Sequence, residues 1–122
     1  MEPERVVPMI LVPDVRTTVD WYQSIGFTVN YTFDDGGDAP SFAGLSFGRG
    51  DVLFSSGGQP SQQRRREVDL YIYANVDDLY RSLKDRVEII EGLHDTFYRM
   101  REFIIRDLNW FWVTFGQDIS AP

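Results

Sequence analysis

Pro8-Met9-Ile10-Leu11-Val12-Pro13-Asp14-Val15, followed by Val19, Tyr22, Ile25 and Gly26, decides how the rest of the chain is read. Val6 to Val12 is an almost continuous apolar run, and Pro13-Asp14 breaks it with a helix-capping carboxylate just ahead of a helical pattern. Val15, Val19, Tyr22 and Ile25 recur at spacings of four and three, which predicts one apolar stripe on a helix from about Asp14 to Ile25 and a stop at Gly26. Phe27 to Phe33 then alternates with Thr28, Asn30 and Thr32. The polar turn Asp34 to Asp38 and two further strand-like runs, Ser41 to Gly48 and Asp51 to Ser55, complete a βαβββ order.

The same grammar returns after a connector. Residues 56–66 contain no apolar side chain and are rich in turn formers, so they are expected to be an exposed link; the run Arg64 to Arg66 within it reads as a solvated stretch, with an anion site as the sharper alternative. Beyond it, Glu67 to Tyr73 is strand-like, Asn75 is placed to cap, and Val76, Leu79, Tyr80 and Leu83 form a helical stripe to about Asp85. Val87 to Ile90, Arg101 to Arg106 and Trp110 to Phe115 supply three more strands, with a turn at Asp107-Leu108-Asn109. Aligning Asp14-Val15 with Asn75-Val76 gives an offset of 61, an internal duplication of half the chain. The expected fold class is α+β: two βαβββ modules, about 6–55 and 67–117, forming curved mixed sheets around a cleft within one domain, with the helices on the outer face.

Bulk properties narrow the function classes. Over 122 residues, 43% hydrophobic and 15% aromatic content suits a folded core. A net charge of −7 disfavours nucleic acid and tilts partner choice towards cations. Without cysteine there is no disulfide, thiolate metal site or thiol nucleophile. No apolar run approaches a bilayer span, so no membrane role and a cytoplasmic location are expected.

With these residues in place a family pattern emerges. Pro8 to Val15, Asp20-Trp21-Tyr22 and Ile25-Gly26-Phe27 resemble the opening of vicinal-oxygen-chelate proteins, the superfamily of glyoxalase, bleomycin-resistance proteins and extradiol dioxygenases. Asn75 to Tyr80 resembles the second helix start, while Asp95 to Phe103, Arg106 to Trp110 and Phe115-Gly116-Gln117 resemble the close of the pattern. Arg99, Leu108 and Trp110 stand where the pattern has Gly, Pro and Gly, and Trp110 in particular suggests an altered last hairpin.

The resemblance also locates the strand positions at which metal-dependent relatives carry His or Glu. Here they fall on Val7, on Leu53 or Phe54 depending on register, on Val68 and on Thr114. Aliphatic side chains offer a divalent ion no donor, so neither a metal nor another cofactor is expected. His94, in the expected loop Glu91 to Thr96, reads as an exposed loop histidine or, with Glu91 and Asp95 close in sequence, more sharply as a makeshift site or a general base. Glu102 reads either as a polar anchor or as a salt-bridge partner of Arg101 or Arg106.

Alternation along strands places Val7, Met9 and Leu11, Val68, Leu70 and Ile72, and Trp110, Trp112 and Thr114 towards the cleft. Ile10 and Val12, Tyr71 and Tyr73, and Phe111, Val113 and Phe115 are then expected beneath the helices. Met9, Leu70, Tyr98, Glu102, Trp110, Trp112 and Thr114 are thus the candidate ligand-binding residues, although tryptophans at this spacing also suit a core or an interface. Three functions fit: metal-free binding of a small planar aromatic or cationic molecule by a homodimer, as the resemblance to bleomycin-resistance proteins implies; an enzyme of the same superfamily using His94, Glu102 or Tyr98; and a structural or regulatory dimer.

Overall fold

The computed structural model describes residues 4–60 and 66–120. They form two compact units dividing after Pro60, each a four-stranded mixed sheet with one helix. In the first unit β1 (Met9–Val12), α1 (Val15–Ser24), β2 (Thr28–Phe33), β3 (Phe42–Phe47) and β4 (Gly50–Ser56) assemble in the order β1-β4-β3-β2, with β1 parallel to β4 and the other pairs antiparallel. In the second unit β5 (Leu70–Tyr73), α2 (Val76–Leu83), β6 (Glu88–Asp95), β7 (Met100–Arg106) and β8 (Trp112–Asp118) repeat the topology as β5-β8-β7-β6. The two βαβββ modules of the sequence reading are therefore both present. Arg64 and Arg65 lie outside the described residues.

The first helix forms as its pattern predicts. Asp14 accepts a hydrogen bond from the backbone N–H of Thr17 at 3.0 Å, filling one of the vacant donors of the first turn, and Gly26, with φ 115°, follows its last turn. Val15, Thr18, Val19 and Tyr22 are buried on one stripe. Tyr22 meets Phe27 and Phe54 with ring centroids 5.0 and 4.9 Å apart, and Phe27 stacks on Phe47 at 4.8 Å. Ala43, Leu45, Val52, Phe54, Ile10 and Val12 are buried with them, so this side of the sheet is the core of the unit.

The second helix departs from expectation at its cap. Asn75 makes no side-chain bond to the helix; instead Gln117, at the end of β8, accepts from the N–H of Val76 at 3.1 Å. The cap is tertiary, so counting along the helix could not find it. α2 also ends at Leu83, not at Asp85. Beneath it, Phe103 stacks on Phe115 at 4.9 Å and meets the ring of Tyr80 edge-on, and Phe103, Ile105, Val113 and Phe115 are fully buried.

Three strands differ from the sequence reading; β8 begins at Trp112, so Trp110, expected on it, lies in the turn before it. β6 runs to Asp95, so His94 lies on a strand paired opposite Glu102 and not in a loop. Register shifts around Glu91 interrupt the alternation by which the strand would have been recognised. β5 presents the opposite faces from those expected. Leu70 and Ile72 lie beside the buried Val113 and Phe115, whereas the hydroxyl of Tyr71 bonds to Glu102, on the other side of the sheet from Phe103. Leu and Ile can be buried without loss, while a phenol needs a polar partner, and a slip of one residue exchanges the two faces. Val7 and Val68 both precede the strands to which they were assigned.

Candidate functional site

In each unit the helix covers one sheet face, and the other is built by alternate residues. On the helix-free face of the second unit the strand pairs form three rows: Trp112 beside Arg106 and Glu88; Thr114 beside Ile104 and Glu91, with Tyr71 next to Thr114 on the other side; and Gly116 beside Glu102 and His94. Gly116 stands four positions after Trp112 along β8, so the two ends of the face stand about 13 Å apart.

One end is aromatic and basic. Asp107 closes the β7–β8 turn, its buried carboxylate accepting from the N–H groups of Asn109 at 2.7 Å and Phe111 at 2.9 Å. Trp110 in that turn adopts φ 70°, the left-handed region favoured by glycine, and Arg99 in the preceding hairpin adopts φ 65°. The last hairpin thus keeps the backbone a glycine would give, contrary to the expectation that Trp110 would alter it. The Arg106 guanidinium lies 4.2 Å from the centroid of the Trp110 ring while bonding to Glu88 at 2.6 Å. Arg66 is not a purely solvated side chain: its guanidinium sits 4.5 Å from the centroid of Phe111 and donates to the carbonyl of Asn109 at 3.3 Å.

The other end is acidic and phenolic. Glu102, only 3% exposed, accepts from the hydroxyl of Tyr71 at 2.6 Å through one carboxylate oxygen and from that of Tyr98 at 2.7 Å through the other. Neither arginine considered as its partner reaches it: Arg101 pairs with Asp95 at 2.7 Å and Asp77 at 3.3 Å, and Arg106 pairs with Glu88. Burial and then the bond to Glu102 push the Tyr71 phenol well above its ordinary ionisation range, and the Tyr98 phenol moves the same way, first through its bond to Glu102. Gly116 makes this geometry possible, because a Cβ there would stand 2.0 Å from the Tyr71 hydroxyl oxygen. His94, half-buried, directs Nε2 towards Glu91 at 3.6 Å and Nδ1 towards the Gly92 carbonyl at 2.7 Å.

Of the seven candidates, Trp112, Thr114 and Glu102 share this face, Tyr98 reaches it from the β6–β7 hairpin and Trp110 stands at its turn end. Leu70 turns to the helix side, and Met9 belongs to the other unit. Tyr71 was assigned to the wrong face; its signal would have been that a phenol flanked by Leu70 and Ile72 suits the polar side of a strand. The resemblance expects the metal-ligand positions of relatives at Val7, Leu53 or Phe54, Val68 and Thr114. Leu53 is on the helix-free face of the first unit and Phe54 in its core, and of the whole set only Thr114 carries an oxygen. No three His, Asp or Glu side chains converge as a metal site among the described residues.

Comparison with known proteins bears on this arrangement. Residues 5–115 match the family profile described as Glyoxalase/Bleomycin resistance protein/Dioxygenase superfamily. No curated protein matches the sequence significantly. Among solved structures, TioX from Micromonospora sp. ML1 superposes with a TM-score of 0.73 at 21% identity, covering 93% of this chain and 98% of that one. Hypothetical protein SA1046 from S. aureus gives 0.70 at 17% identity over 93% and 96% of the two chains. A bleomycin-binding protein complexed with bleomycin gives 0.69 at 14% identity over 95% and 99%. At these identities the likeness is one of fold. No helix among the described residues is long and apolar enough to cross a membrane.

Proposed function

We propose, from the premise that this chain belongs to the Glyoxalase/Bleomycin resistance protein/Dioxygenase superfamily, that it binds a small, extended molecule with a planar aromatic part and a cationic part, without a metal. The observation that carries this reading is the helix-free face of the second unit, which aligns Trp112 and Thr114 with the buried carboxylate of Glu102. An indole offers a stacking surface at one end of that face, and a carboxylate with no cationic partner among the described residues stands at the other. The net charge of −7 favours the approach of a cation. A structural neighbour that binds bleomycin supports the choice of ligand size and class. The donor chemistry of Val7, Leu53 or Phe54, Val68 and Thr114 supports metal independence.

Thermal unfolding with bleomycin and a series of planar cations tests the reading. A ligand at a hundred times its dissociation constant is expected to stabilise the protein by about 2.7 kcal/mol. Replacing Trp112 by Ala should abolish that stabilisation, whereas an undiminished shift in the variant would move the ligand off this face. Elemental analysis of the purified protein checks the second half of the reading, because stoichiometric Zn, Ni, Mn or Fe overturns metal independence.

A further inference from the structure

Glu102 is a buried carboxylate held by two phenols and by no cation among the described residues. Taking a carboxylate out of water costs several kcal/mol unless a cation and hydrogen bonds compensate it. Here two phenols supply hydrogen bonds, but no cation pairs with the carboxylate among the described residues. The nearest strand neighbours do not help. Gly116 has no side chain, and His94 on the other side is turned to Glu91, which adds a second carboxylate near Tyr98.

We infer that Tyr71, Tyr98 and Glu102 form a recognition corner for an alkylammonium ion that still carries N–H, the cationic end of the ligand proposed above, on which reading this inference rests. Each phenol has one hydrogen, and both hydrogens are committed to Glu102. The two phenol oxygens can therefore only accept, as can the carboxylate, and hydrogen bonding to an anion strengthens their acceptor character. Tyr71 and Tyr98 are 42% and 52% exposed, so a ligand can meet them. Tyr73, more exposed still, places its ring 5.1 Å from that of Tyr71, and Phe97 meets Tyr98 edge-on at the same separation. With both phenol hydrogens committed to Glu102, the acceptors and π faces of the corner disfavour anions and neutral acceptors and favour a cation with hydrogens to give.

The test uses the full chain, labelled with nitrogen-15 and titrated with benzylammonium, benzyl alcohol and benzyltrimethylammonium. Benzylammonium should bind at least about tenfold more tightly than the alcohol, the scale of one charge-assisted hydrogen bond. It should also bind more tightly than the trimethylated ion, with amide shifts concentrated at Tyr71, Tyr98, Glu102 and Gly116. Glu102→Gln should bring the ammonium-to-alcohol ratio close to one. Tyr98→Phe, at an exposed ring, should reduce it several-fold, so the test stands even where Glu102→Gln fails to fold. An unchanged ratio in a folded variant overturns the inference, and equal binding of the trimethylated ion overturns the requirement for N–H. If the corner fails while bleomycin still gives a Trp112-dependent thermal shift, the proposed function survives without it; if no compound binds, both fall.

Discussion

Both units lay a tyrosine over a glycine on the helix-free face of the sheet, but what stands beside the glycine differs. In the first, Tyr31 from β2 covers Gly44, where a Cβ would be 2.4 Å from the ring, and the strand partner of Gly44 is Leu53. In the second, Tyr71 from β5 covers Gly116, and the strand partner of Gly116 is Glu102. Around Gly44 the neighbours are apolar, with Tyr31 near Phe33 and Phe42, and Met9 and Leu11 on the same face. Around Gly116 they are a carboxylate, a second phenol and an imidazole. The glycine makes the same room in each case, and the strand partner decides whether the covered corner is a hydrophobic wall or an anchor for charge.

The final hairpins of the two units contrast in a similar way. β3 and β4 are joined through Gly48 at φ 61°, a conformation glycine adopts without cost, while β7 and β8 are joined through Trp110 at φ 70° with Asp107 as a clamp. The largest effect is therefore expected from Asp107→Ala. Two charge-assisted bonds to backbone N–H are lost in a buried turn, which should destabilise by about 3 kcal/mol in chemical denaturation, with no comparable clamp to lose at Gly48. A loss below about 0.5 kcal/mol would mean that the turn holds without its carboxylate.

Glu102→Leu makes the second unit's corner resemble the first. Replacing a buried charge that lacks a cationic partner by an apolar side chain is expected to leave stability within about 1 kcal/mol of the parent or to raise it, while eliminating the preference for benzylammonium. A large destabilisation would show that Glu102 is there to hold the sheet and not to meet a ligand. Smallest of all should be Trp110→Gly, which imports the first unit's solution to the turn. Relief of a left-handed non-glycine residue, worth about 1 kcal/mol, is offset by loss of the Arg106 stacking contact, about 0.5–1 kcal/mol. The measured unfolding midpoint should scarcely move, and a clear loss would assign Trp110 a packing role beyond that contact.

Much of this architecture was legible in the residues themselves. The apolar run into Pro13-Asp14 and the stripe Val15, Val19, Tyr22, Ile25 depend on neighbours within a few positions, periodicity and capping being local properties, and the repeat at an offset of 61 recurs as the same local pattern. The face carrying Trp112 and Thr114 was also readable, because side chains alternate along a strand and the apolar Val113 and Phe115 take the other side, where both are fully buried. Glu102 stood out as a strand carboxylate, but its partners did not. Tyr71 lies 31 positions away in sequence, and its contact depends on which way a four-residue edge strand faces.

The sequence by itself determined two βαβββ modules, the first helix cap and the buried stripes, since each follows from residue identity and short-range spacing. Only tertiary structure decided that Gln117 caps α2, that His94 stands on a strand opposite Glu102, and that Tyr71 rather than Leu70 shares its face. The reason is register. Each of these depends on how strands pair and pack, where a shift of one residue exchanges the faces without changing the local pattern.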